Sequence, residues 1–122
     1  MGFRGVQPKN FPLIAVRQGA RYKSRPLDGI WATAPYLHNG SVPNLDALLR
    51  PVAQRPTSFS IGVKTFDPVR VGYLTDATGF PKFNVNNPDG SPSVGNSNAG
   101  HVFGASLTEE ERGWLLEYLK TL

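Results

Sequence analysis

The clearest pattern of hydrophobic and polar positions lies at the end of the chain. Apolar residues recur there every three or four positions, which is the spacing of one face of an α-helix. They are Trp114, Leu115, Tyr118, Leu119 and Leu122. Upstream of them, Thr108 is followed three residues later by Glu111, the signature of a capping box. The sequence therefore predicts a C-terminal amphipathic helix that packs one face on a core.

A second, shorter helix is predicted in the middle of the chain. Asn44 precedes the run LDALL and is a suitable N-cap, and Pro51 would end the helix because proline cannot extend it. Residues 58–74 then alternate loosely between apolar and polar side chains, which predicts one or two short strands. Residues 80–104 consist mostly of Asn, Gly, Pro and Ser, a long irregular stretch of the kind that is often functional or disordered.

Composition supports one small, loop-rich domain. The chain has 122 residues, of which 39% are hydrophobic, with Gly 13 and Pro 11. Gly and Pro also recur near the start of the chain, and we expect residues 1–21 to form an extended lead-in. The net charge of +4 raises the question of nucleic acid, but the basic residues are scattered with no two adjacent, which argues against a nucleic-acid interface. No apolar run approaches the ~18 residues of a membrane span.

Candidate chemistry is concentrated at two histidines, His38 and His101, both in Gly-flanked irregular segments. Each could be an ordinary turn residue or a ligand that approaches a cofactor closely. The chain has no Cys, so Cys-ligated zinc and thiol chemistry are excluded. No acidic residues stand at ligand-like spacing around either histidine, and no serine lies in a G-x-S-x-G elbow. The aromatic residues Trp31, Tyr36 and Phe59 could line a flat cofactor or form core, and the residues alone leave both open.

The stretch YKSRPLDGIWATAPYLHNGSVPNLDALL, followed by QRP and FSIGVKTFDPVRVGY, resembles bacterial c-type cytochromes related to diheme cytochrome c peroxidases. It is most similar to the branch that contains the haem-dependent rubber oxygenases, and GNSNAGHVFG and LTEEERGWLLEYLKTL resemble the C-terminus of that branch. The resemblance implies that residues 22–122 are the C-terminal part of a cytochrome c-like domain. The fold class expected from it is mainly α with extensive irregular loops, with room for one short β-hairpin.

The same resemblance implies haem c as the cofactor. Family members attach haem through Cys-x-x-Cys-His, a motif absent from this chain, so the resemblance implies that the attaching segment lies upstream of residue 1 in the intact protein or has been lost. A second axial ligand in such proteins is Met or His, and the only Met is Met1. His101, in the segment that matches Asn-Ala-Gly-His of the rubber-oxygenase branch, is therefore the expected distal ligand.

The resemblance also implies the surroundings of the haem. His38 is expected by the haem edge or propionates, with Trp31 and Tyr36 as walls of the pocket. Arg25 is expected to pair with a propionate, because its planar donor fork suits a carboxylate.

Together these features predict a haem-binding, electron-transfer segment of a larger periplasmic or secreted oxidoreductase of the diheme peroxidase-like or haem oxygenase-like kind. Its expected partners are the N-terminal haem-attaching part of the same protein and a redox protein, with no nucleic acid and no membrane span. As an isolated segment it would be inactive. The alternative is a non-catalytic remnant or interaction module that binds no haem.

Overall fold

The computed structural model describes residues 24–122. Within this range the helices are α1 (Leu45–Leu49) and α2 (Glu109–Leu119), with single 3₁₀ turns at Ile30–Ala32 and Val52–Gln54. The strands are β1 (Ser58–Ser60), β2 (Phe66–Asp67), β3 (Gly72–Tyr73) and β4 (Lys82–Asn84). The predicted lead-in, residues 1–21, lies outside the described residues.

Both predicted helices are present, and local capping explains where they begin. The Asn44 side chain accepts a hydrogen bond from the Ala47 amide at 2.9 Å, which satisfies one of the free N–H groups at the start of α1. Before α2, the Thr108 hydroxyl accepts from the Glu111 amide and the Glu111 carboxylate accepts from the Thr108 amide, a complete capping box. These polar contacts lie within a few residues of each other, so sequence alone could predict them.

The buried face of α2 contains the leucines of the predicted apolar stripe but not its two aromatic residues. Arg112, Leu116 and Leu119 are buried, whereas Trp114 is 65% exposed and Tyr118 is 58% exposed. Since successive residues turn by about 100° around a helix, the two aromatic side chains lie well away from the stripe that faces the core. Arg112 lies on the buried face, but a prediction from hydrophobic residues alone does not include an arginine.

The strands form two small antiparallel sheets in the described part of the chain. β2 and β3 make a hairpin, and the Asp67 carboxylate stabilises its turn by accepting hydrogen bonds from the amides of Val69 and Arg70 at 2.9 and 3.1 Å. β1 pairs with β4, with Phe59 opposite Phe83. Their rings stack with centroids 5.1 Å apart, so this sheet brings residues 58–60 beside residues 82–84.

The expectation of a mainly α fold is wrong for residues 24–122. The α-helices there contain 5 and 11 residues, and about as much chain lies in strands and β-bridges as in α-helix, with the rest mostly loop. The α-rich expectation came from the resemblance to c-type cytochromes. Locally, proline and glycine recur through residues 62–104, and both residues are unfavourable in helix interiors.

The main core lies where α1 meets α2 and the β2–β3 hairpin. Its buried members are Tyr36, Val42, Leu45, Ala47, Val71, Leu116 and Leu119. On the surface, the Arg50 guanidinium lies 2.9 Å from the Asp46 carboxylate and 3.1 Å from that of Glu109, which joins the end of α1 to the start of α2. No helix in residues 24–122 is long and apolar enough to cross a membrane.

Candidate functional site

The two loops that carry the histidines are joined by hydrogen bonds. The Asn39 side-chain amide donates to the carbonyl oxygens of Gly95 at 2.9 Å and Ser97 at 2.8 Å. The Ser41 hydroxyl, which is fully buried, also donates to the Ser97 carbonyl at 2.8 Å. The 37–41 loop, which contains His38, therefore lies directly against the 95–101 loop, which ends at His101.

His101 stands in an unusual backbone conformation on an exposed ridge. Its φ is 60°, in the left-handed region that only a few per cent of non-glycine residues occupy and in which histidine is enriched. The imidazole packs edge to face against the Phe103 ring, with centroids 5.0 Å apart. Val102 and Phe103 are 54% and 85% exposed. We call His101, Val102 and Phe103 the histidine ridge, because an accessible imidazole is flanked there by uncovered apolar side chains.

A buried arginine holds the 95–101 loop to the end of α1. Arg55 is 3% exposed, and its guanidinium donates to five backbone carbonyl oxygens. The acceptors are those of Leu48 (3.0 Å), Arg50 (3.2 Å), Asn98, Gly100 (2.5 Å) and His101 (2.7 Å). Burial lowers the pKa of this guanidinium, but arginine stays charged in proteins. Sequence reasoning missed this residue.

The residue that follows the histidine ridge, Gly104, packs closely against α1. A Cβ atom added to Gly104 would lie 2.7 Å from the Leu49 carbonyl oxygen and 2.9 Å from the Leu49 Cα. Such distances are too short for any side chain, so only glycine allows the chain to approach α1 this closely. The histidine ridge is therefore held at both ends. Arg55 bonds to the backbone at His101, and Gly104 packs against Leu49 after Phe103.

The other residues predicted for the site lie in different surroundings. His38 is exposed in the 37–41 loop, adjacent to the loop of His101. Tyr36 is buried in the core and its hydroxyl donates to the Ile30 carbonyl at 2.7 Å. Trp31 is 41% exposed and packs edge to face against Phe66, on the β2–β3 hairpin. Arg25 is exposed, and its contact with a propionate stays a prediction.

An apolar cleft beside the 37–41 loop was not predicted from the sequence. Its volume is about 620 Å³, within the range of small-molecule pockets. The residues that line it are Pro35, Asn39, Gly40, Phe59, Ser60, Ile61, Gly62, Val63, Lys64, Tyr73 and Phe83. Neither His101 nor Trp31 is among them. The cleft depends on the pairing of β1 with β4, for which the sequence carries no local signal.

The donor set near the ridge suits one axial bond to a haem iron. Residues 24–122 contain no group of three or more His, Cys, Asp or Glu side chains that could hold a metal ion. The exposed imidazole of His101 can supply a single bond to a metal ion, and histidine is one of the residue types that coordinate haem iron. Covalent attachment has no residue here, because thioethers need Cys and the chain has none.

One family model relates part of this chain to cytochromes, and two relatives are similar in sequence. Residues 21–60 match the family model described as "RoxA-like, cytochrome c-like", a range that includes His38, α1 and Arg55 and ends before His101. "Uncharacterized protein y4iJ" of Sinorhizobium fredii (strain NBRC 101917 / NGR234) is 51% identical over 112 residues, covering 83% of this chain and 18% of the relative. "Uncharacterized protein y4iM" of the same organism is 53% identical over 55 residues, covering 45% of this chain and 12% of the relative. The chain thus spans less than a fifth of the length of these relatives, and its match over residues 21–60 supports a cytochrome c-like relationship.

Proposed function

We propose that this chain is the haem-binding, electron-transfer segment of a larger c-type cytochrome oxidoreductase related to the diheme peroxidases. In this proposal His101 is the distal ligand of a haem c that is attached through Cys-x-x-Cys-His upstream in the same protein. The observation that carries it is the histidine ridge, where an exposed imidazole with φ of 60° lies beside uncovered Val102 and Phe103.

Bound haem would supply one-electron redox chemistry. In this chain the His101 imidazole would hold the haem iron, and by occupying that position it would keep small molecules such as peroxide from binding there. Val102 and Phe103 would cover neighbouring apolar surface and exclude water. This arrangement suits electron transfer, and a reaction on a substrate would take place at another haem of the intact protein.

The haem-attaching segment needs a surface on which to pack, and we assign that role to the exposed face of α2. Trp114 and Tyr118 stand four residues apart on this face, and residues at that spacing are neighbours on a helix surface. Large aromatic side chains are the usual anchors of protein interfaces. A redox protein is the second proposed partner, and a periplasmic or secreted location follows from the proposed family.

Loss of the His101 ligand tests the proposal. The chain is produced together with its upstream segment under cytochrome c maturation, and absorption spectra of the parent, His101→Ala and His38→Ala are compared. The parent should be low-spin, and His101→Ala should become high-spin because one axial ligand is missing. His38→Ala is the matched control and should stay low-spin. An unchanged spectrum in His101→Ala would refute the ligand assignment.

A non-catalytic interaction module is the second candidate, favoured by the same aromatic face of α2. Both functions expect Trp114→Ala to weaken association with the upstream segment, so this variant does not separate them. Haem content does. A full-length protein that carries no haem after maturation, while its two segments still associate, would support the interaction module.

A further inference from the structure

We infer that Arg55 is a positioning residue for His101, fixing the imidazole relative to α1 so that it is presented at one place and angle. The inference rests on the proposed function, in which His101 coordinates haem iron. It concerns a residue that itself touches no cofactor and acts through the backbone of the 95–101 loop.

The geometry matches every donor of one side chain to an acceptor. A guanidinium has five N–H groups in a rigid planar fork, and Arg55 has five carbonyl acceptors. Leu48 and Arg50 supply two of these acceptors from the end of α1, and three come from residues 98–101 of the 95–101 loop. The one side chain therefore joins a helix end to the segment that carries the ligand.

The charge makes this attachment stronger than a set of neutral hydrogen bonds. Among the described residues, no ion pair involves Arg55, although the residue is 3% exposed. A buried charge without a counter-ion needs other compensation, which the five carbonyl dipoles provide. Moving residues 98–101 away would leave the cation uncompensated, so these residues are held firmly.

The backbone conformation of His101 shows why the hydrogen bonds from Arg55 are needed. No helix or strand supports residues 98–101, and the left-handed conformation of His101 is one that persists only where the surroundings enforce it. The Arg55 Nη2 atom lies 2.7 Å from the His101 carbonyl oxygen. This contact, next to the Cα of the ligand residue, holds the local backbone that aims the imidazole.

Arg55→Lys in the full-length protein with haem attached tests the inference. Lysine keeps the charge but has three donors on a flexible stem, so residues 98–101 should lose their fixed position. We expect the ratio of low-spin to high-spin haem to fall about tenfold, since several charge-assisted hydrogen bonds are lost. Added imidazole should bind the iron about tenfold more tightly than in the parent, because it competes with a less well-placed internal ligand.

Leu119→Ala is the matched control for stability. Leu119 is buried in the core, and its truncation should lower the melting temperature at least as much as Arg55→Lys does. The control should keep the parent's spin state and imidazole affinity. If Leu119→Ala changes both as strongly, Arg55 acts only through general stability and the inference is overturned.

The two proposals fail in different ways. If His101→Ala leaves the parent low-spin spectrum unchanged, His101 is not the ligand, the proposed function fails, and the positioning role falls with it. If His101→Ala becomes high-spin while Arg55→Lys retains the parent's spectrum and imidazole affinity, the ligand assignment stands and the positioning role of Arg55 is refuted.

Discussion

Stability at alkaline pH should depend on one buried tyrosine. Tyr36 is 6% exposed, and burial raises the pKa of its hydroxyl from 10.0 to about 12, against a smaller lowering by a hydrogen bond with Thr33. The unfolded chain loses this proton near its ordinary pKa, whereas the folded chain keeps it. The contribution of Tyr36 ionisation to the free energy of unfolding is therefore constant below about pH 10. It falls by about 2–3 kcal/mol as the pH rises to about 12.

Denaturant unfolding of the parent, Tyr36→Phe and Tyr118→Phe over this pH range measures the effect. At neutral pH, Tyr36→Phe should cost about 1 kcal/mol, because the hydrogen bond from the Tyr36 hydroxyl to the Ile30 carbonyl is lost. Above about pH 10 the variant should lose less stability than the parent, since it has no hydroxyl to ionise. Tyr118 is 58% exposed, so Tyr118→Phe should follow the parent curve. Identical alkaline slopes for the parent and Tyr36→Phe would refute the reasoning.

Two glycines should respond in opposite directions to alanine. Gly113 lies exposed within α2, and a Cβ there meets nothing within 4 Å, so Gly113→Ala should raise the free energy of unfolding by up to about 1 kcal/mol; a lower thermal midpoint would contradict this. Gly104→Ala should instead cost about 1–3 kcal/mol, because the new Cβ would lie 2.7 Å from the Leu49 carbonyl oxygen, and a neutral result in the same melting assay would show that the ridge is not packed on α1.

The parts of the fold that the sequence predicts are those fixed by neighbours in the chain. The caps at Asn44 and Thr108 act over three residues, so a short motif is enough to find them. The pairing of β1 with β4 joins residues that lie more than twenty positions apart, and nothing local announces it. The predicted face of α2 is confirmed for its three leucines, which pack on the core, and is wrong for Trp114 and Tyr118. Arg112 takes a buried position instead, and a hydrophobic pattern treats every arginine as exposed.

The candidate site shows the same division. His101 could be proposed from the family resemblance and from the lack of other donors, because a ligand is recognised by its side chain. Arg55 could not, because its five partners are backbone carbonyls. Every residue carries a carbonyl group, so such a contact leaves no trace in residue type. The role of Arg55 is visible only in the structure, where α1 and residues 98–101 lie next to each other.

The 95–101 loop is held by hydrogen bonds from polar side chains, which leaves the apolar residues next to it exposed. Polar side chains, Asn39, Ser41 and Arg55, fix the 95–101 loop from beneath, so apolar residues are not needed to anchor it. Val102 and Phe103 can then remain on the surface, where they are 54% and 85% exposed beside His101. In the proposed function, haem and its attaching segment would cover this apolar surface beside the His101 imidazole.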